Sequence, residues 1–206
     1  VTAKVTRPVG RADPPGEISD ATLLELSLRS PERFGEIYDR HFREIHGYLG
    51  RRLDQQAADD LAAEVFLTAF RKRDRFDPER GEVRPWLYGI ATNLIGLHRR
   101  TETRRLAALR RSAAAQPSAE HGHEERVATR VDALNAQERL AGELLALPDG
   151  DRDVLMLSAL GELSHEEVSK ALGIPYGTVG SRLSRVRKRL RAALGGVNPL
   201  HGGSNG

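Results

Sequence analysis

Residues 163–190, LSHEEVSKALGIPYGTVGSRLSRVRKRL, constrain the fold more than any other stretch. Ser164 and Glu167 have the spacing of a capping box: the serine caps the helix start and the glutamate reaches back to the serine amide. Gly173 and Pro175 end this short helix, and a longer one is expected from about Pro175 to Leu194. In that second helix Val179, Leu183, Val186 and Leu190 form one stripe, which should face a core. Ser181, Ser184, Arg185 and Lys188 fall opposite it, with Arg182 and Arg189 at the flanks. A short capped helix, a tight turn and a longer basic helix make a helix-turn-helix, whose second helix enters the DNA major groove. Arginine can pair with guanine through two hydrogen bonds there, and the remaining cations suit phosphates. The alternative is a solvated amphipathic helix with a basic outer face.

Charge separates along the chain. Residues 99–111 hold six Arg and one Glu, residues 112–167 hold four basic and 12 acidic side chains, and residues 168–206 hold seven basic and none acidic. Two basic blocks give two places where a polyanion can be held. The acidic block between them also permits a closed form, in which acid shields the recognition helix.

Helical spacing runs through most of the remaining sequence, and no segment alternates as a strand would. Ser19-Asp20 and Ser30-Pro31 read as helix starts. Phe34 to Leu49, about Asp54 to Lys72, and Pro85 to about Arg100 follow as helices. Spacing resumes at Val127, stops at Pro148-Asp149-Gly150, and a short helix spans Asp151 to Leu160. The fold expected is all-α: two helical domains joined by a flexible linker. The spans are a leader at 1–18, a first domain at 19–105, a linker at 106–126, a second domain at 127–195 and a tail at 196–206.

Two further segments stand out. In ADDLAAEVFLTAFRK (58–72), Leu61 and Val65 define one face, yet Phe66, Leu67 and Phe70 spread round the others, with Asp59, Asp60 and Glu64 at the edge. Such a helix is either central in a core or docked on a partner, and periodicity alone favours the core. In RPWLYGIATNLIGLHRR (84–100), Leu87, Ile90, Ala91 and Leu94 line one stripe while Thr92, Asn93, Gly96 and Arg100 line the other. An outward Asn beside Arg and Trp86 suits single-stranded bases. Trp86 reads equally well as a core anchor, and Asn93 as a solvated surface amide.

Taken in order, DDLAAEVFLTAF, PWLYGIATNLIGLHRR and LPDGDRDVLMLSALGELSHEEVSKALGIPYGTVGSRLSRVRKRL resemble a bacterial RNA polymerase sigma factor of the two-domain extracytoplasmic-function (ECF) group. The resemblance covers about residues 30–105 and 130–194. It implies a first domain, region 2, that docks on the clamp helices of core RNA polymerase and opens the minus-ten element of promoter DNA. It implies a second domain, region 4, that reads the minus-thirty-five element and meets the polymerase flap. By position, Asp60, Leu61, Glu64 and Leu67 are implied to bind core. Arg71, Lys72, Arg73, Trp86, Thr92, Asn93, Arg99 and Arg100 are implied to hold minus-ten DNA, with Asn93 near a base captured outside the stack. Thr178, Ser181, Arg182, Ser184, Arg185 and Lys188 are implied at the minus-thirty-five element, with most weight on Arg185. The group is usually held inactive by an anti-sigma factor, and nothing in this sequence identifies one. Ala63, Gly89, Leu97 and Gly180 depart from common family residues, where Gln, Arg, Asp and a basic residue are frequent.

An ordinary helix-turn-helix regulator acting without polymerase explains 163–190 equally well, but not 58–72 or 84–100. An enzyme is not expected. With no cysteine there is no thiolate metal site or cysteine nucleophile. His121, His123, Glu124 and Glu125 form the one cluster resembling a metal site, and they lie in low-complexity sequence. No cofactor or metal is expected. With no apolar stretch near the roughly 20 residues of a membrane span, and no signal peptide, the chain is expected in the cytoplasm.

Overall fold

The computed structural model describes residues 18–79, 81–114 and 139–194. Nearly all of the leader, the linker from residue 115, the His121–Glu125 cluster, the helical spacing at 127–138 and the tail lie outside these. Among the described residues the chain is helical, without strands. The first half holds α1 (Asp20–Ser27), α2 (Phe34–Gly50), α3 (Gln55–Lys72) and the long α4 (Val83–Ala114). The second holds a helical stretch at 139–145, then α5 (Asp149–Ala159), α6 (His165–Leu172) and α7 (Tyr176–Ala193).

Local chemistry sets most of the ends. Ser19 Oγ accepts the Thr22 amide and Asp54 accepts the Ala57 amide at 2.9 Å. At α6 both arms of the capping box form, and Gly173 closes the helix in the left-handed region at φ 62°. Only a residue without a Cβ takes that conformation at little cost.

Two boundaries differ from expectation. The turn at Pro148 is tighter than the sequence suggests, so Asp149 and Gly150 form the first turn of α5. Helix α4 passes Arg100 and continues to Ala114, through residues 106–114 expected as linker. The run RRLAALRRSAA consists almost wholly of strong helix formers, and propensity carries the helix on beyond the packed segment.

Leu23, Ile37, Ile45, Leu49, Ala62, Val65, Leu87 and Ile95 fill the first half, all at or below 1% exposure. Val154, Leu157, Val168 and Val179 fill the second. Each such aliphatic side chain contributes about 1.5–3 kcal/mol on burial. The two halves pack together: α6 lies along α4, and their buried residues form one continuous cluster.

Candidate nucleic-acid interface

Helix α7 buries Val179, Leu183 and Val186, while Leu190 at its end is half-buried. That inward stripe fixes the outward face, where Ser181, Ser184, Arg185 and Lys188 are exposed together. Thr178 is half-buried, and its carbonyl accepts from Ser181 Oγ at 3.0 Å. A Cβ at Gly180 would meet open space, so that position offers a shallow notch rather than a side chain.

The arginines of α7 already have partners. Arg185 donates from Nη1 to both oxygens of Asp151, at 3.2 and 3.0 Å. Arg182 donates to the Gly150 carbonyl at 3.1 Å, over a glycine whose missing side chain leaves room for the guanidinium. Arg189 pairs with Glu143 at 3.0 Å. Asp151, only 3% exposed, was not singled out from sequence. The signal that pointed to it was the acidic block preceding an acid-free one, which gives the cations of α7 nearby partners.

On α4, Trp86, Asn93, Leu97 and Arg100 fall within about 60° of one another around the helix axis. Asn93, Leu97 and Arg100 are exposed. Trp86 is half-buried against Phe76, with ring centroids 5.3 Å apart, so it is anchored and still reachable. Arg99 is half-buried, and burial, then the nearby Arg52 and Arg152 charges, lower its pKa. Arg71 and Lys72 are exposed at the end of α3.

Two sequence-derived positions need correction. Thr92 does not line the outer face: it is 3% exposed and its Oγ1 hydrogen-bonds the buried Tyr48 hydroxyl at 3.0 Å. Helix α4 is covered by α2 as well as α3, and Thr92 sits under α2. Arg73 is turned away from solvent phosphates. It donates to the carbonyls of Ser27 and Phe70 and stacks on the Phe70 ring, 3.8 Å from the centroid.

Helix α3 meets both descriptions offered for it. Val65 and Phe66 are buried, whereas Leu67 is exposed beside the acids Asp59 and Asp60. Tyr38 from α2, also exposed, lies edge-on to Phe66 at 4.9 Å and extends the apolar patch. Leu61 and Glu64 are half-buried, and Glu64 accepts from Thr68 at 3.3 Å. His46 holds Asp59 at 2.6 Å.

Beneath this surface, α1 is tied to α2 by a charged cluster. Both His41 nitrogens are bonded, Nε2 to Asp20 at 2.5 Å and Nδ1 to Glu44 at 2.8 Å. Burial pulls the imidazolium pKa down, but the hydrogen bonds and charges of the two carboxylates raise it to about 9. Glu44 passes the network on to Arg84 Nε at 3.0 Å.

Comparison with known proteins gives this geometry its setting. Residues 37–105 match the Sigma-70 region 2 family and residues 132–190 match Sigma-70, region 4. The chain is 32% identical to the ECF RNA polymerase sigma factor SigW of Bacillus subtilis, over 84% of this chain and 94% of SigW. The chain belongs to the ECF RNA polymerase sigma factors. It is also 31% identical to the RNA polymerase sigma factor CnrH of Cupriavidus metallidurans, over 86% of this chain and 95% of CnrH. The solved structure of CnrH in complex with the cytosolic domain of CnrY aligns with a TM-score of 0.56 at 25% identity, over 85% of this chain and 97% of that one. This sigma factor is thus a transcription initiation factor that directs RNA polymerase to promoters. A polymerase-independent regulator is not favoured. Among the described residues no helix is long and apolar enough to cross a membrane.

Proposed function

We propose that this sigma factor divides promoter recognition between the two faces described above. The observation that carries the reading is that α4 and α7 each expose one compact polar and cationic face while burying the opposite stripe. Region 2, residues 19–105, docks on the clamp helices of core polymerase through the acid-rimmed patch of Asp60, Glu64 and Leu67, with Leu61 packed beneath. Asn93 and Trp86 meet the melted minus-ten strand, and Arg71, Lys72, Arg99 and Arg100 hold its phosphates. The unstacking of a captured base is offset by such stacking and cationic contacts.

Region 4, residues 127–195, binds the flap and places α7 at the minus-thirty-five element. Ser181, Ser184 and Arg185 face base edges there, while Lys188, Arg182 and Thr178 serve the backbone. Arg185 first leaves Asp151, so base pairing competes with an internal ion pair. The protein acts in the cytoplasm, where core polymerase is found, and performs no catalysis itself. A solved relative of this fold is RpoE from Bartonella quintana in complex with the anti-sigma factor NepR, at 19% identity. An anti-sigma factor of unidentified sequence is accordingly assigned as a further partner here.

Transcription on a pooled genomic library with bacterial core polymerase tests the reading. Shared start sites that need both proteins are expected. Retardation of duplex DNA without core, together with no initiation, would overturn it.

A further inference from the structure

The closest contact between the halves lies on the minus-ten helix itself. At Gly89 of α4 a methyl group would collide with the Ala171 carbonyl oxygen of α6 and come within 3.2 Å of its carbon. Only glycine lets these two backbones meet. At Gly161, after α5, a Cβ would come within 3.0 Å of the Tyr88 ring and 2.8 Å of the Leu157 carbonyl oxygen.

Charge surrounds this seam with one sign on each side. Arg51, Arg52 and Arg84 come from the first half. Arg51 donates to the Leu160 carbonyl at 2.5 Å and Arg84 to the Gly161 carbonyl at 2.8 Å, just past the C-terminal end of α5. That helix end carries negative partial charge. Arg52, its side chain 1% exposed, pairs with Asp153 at 2.9 Å, and Arg84 also reaches Glu167 at 3.4 Å.

We infer that regions 2 and 4 of this chain form a specific intramolecular latch, centred on Gly89 and Ala171 and clamped by Arg51, Arg52 and Arg84, which must open before the protein can engage a promoter. The inference rests on the promoter-reading assignment above. Geometry requires the opening. Elements centred about 25 base pairs apart lie roughly 85 Å apart along B-DNA. Two domains whose backbones touch, with an α7 of only about 27 Å, cannot reach both. The 24 residues between 114 and 139 can span up to about 80 Å, enough to let the halves part while remaining joined. Gly89 also lies one helical turn before Asn93, so region 4 sits at the edge of the face that reads DNA.

The closed seam can be locked. A Cβ at Gly81 lies 3.6 Å from the Lys170 Cβ, within the range a disulfide bridges. The chain has no cysteine of its own. In the double variant Gly81→Cys/Lys170→Cys, mild oxidation should close the bridge rapidly in the free protein. Addition of core polymerase and promoter DNA before oxidation should slow its formation at least tenfold. The oxidised protein should lose at least nine-tenths of the promoter-directed transcription of the same protein kept in dithiothreitol.

As a complement, Gly89→Ala favours the helix yet forbids the contact. In the free protein it should enlarge the radius of gyration in small-angle scattering. In the double-cysteine background it should slow bridging at least fivefold. Bridging at the same rate with and without core and promoter, or full transcription from the bridged protein, overturns the latch while leaving the sigma assignment intact. If the wild-type protein with core directs no initiation, the assignment itself fails.

Discussion

The ion pair between Asp151 and Arg185 gives a prediction in which stability and DNA affinity move in opposite directions. The carboxylate is 3% exposed, and Arg185, its partner at 3.0 Å, has a side chain 56% exposed. Arg182 stands 3.9 Å away as a second cation. Asp151→Asn preserves shape and removes the charge. A fully buried pair that loses one partner costs 3–5 kcal/mol, but both arginines here can recover water, so solvent screening brings the cost down to about 1–2 kcal/mol. Part of that is the acid's favourable position in the first turn of α5.

When Arg185 reaches a base or phosphate, the same interaction must be surrendered. Removing it in advance should tighten holoenzyme binding to the minus-thirty-five element by about five- to tenfold, since 1.4 kcal/mol is a factor of ten. The assays are thermal unfolding of the free protein, and a salt series of fluorescence anisotropy with labelled promoter DNA and assembled holoenzyme. If Asp151→Asn weakens DNA binding while lowering stability, Asp151 orients Arg185 for DNA rather than competing with DNA. The reasoning above would then be wrong.

Three other outcomes are expected. Thr92→Val should cost about 1 kcal/mol, the ordinary worth of one buried hydrogen bond, with promoter choice in run-off transcription unchanged; altered choice would return Thr92 to the DNA face. Leu67→Glu should leave the melting temperature nearly unchanged, as exposed substitutions do, while core polymerase affinity measured by surface plasmon resonance falls at least tenfold. The His41 cluster should shape stability against pH. The histidine's pKa, raised from 6.5 to about 9 in the fold, gives stability that is complete below pH 6.5 and lost as pH rises through about 9. Asp20 and Glu44, lowered from 3.8 and 4.5 despite their burial, by the His41 and arginine partners, contribute stability that is lost as pH falls below those values. Denaturant titrations should therefore show a plateau near pH 5–6.5, and His41→Gln should flatten its alkaline side.

Much of this molecule was legible in the order of its residues. Capping at Ser164 and the left-handed turn at Gly173 are decided within a few residues, so sequence suffices to place them. The stripe of Val179, Leu183 and Val186 was equally plain, because helical periodicity reports which face water leaves. That one inference also oriented Ser181, Ser184 and Lys188 correctly. The long run of α4 to Ala114 was present in its helix-forming composition as well.

Other features depended on neighbours distant in sequence. Periodicity separates inside from outside, but it does not count how many elements cover a helix. Thr92 therefore read as outward until α2 brought Tyr48 onto it. Long cations turn to the nearest acceptor, and for Arg73 and Arg185 those acceptors, Ser27 and Asp151, lie 46 and 34 residues away. Gly89 looked like a lost side chain in the sequence, whereas in the fold it is the space that lets α6 approach α4. The sequence by itself determined the helices, their buried stripes and the two promoter-reading faces, since these arise from local hydrogen bonding and amphipathic spacing. Tertiary structure alone decided which charges are already paired and how the two halves meet, because both depend on through-space contacts that no local pattern encodes.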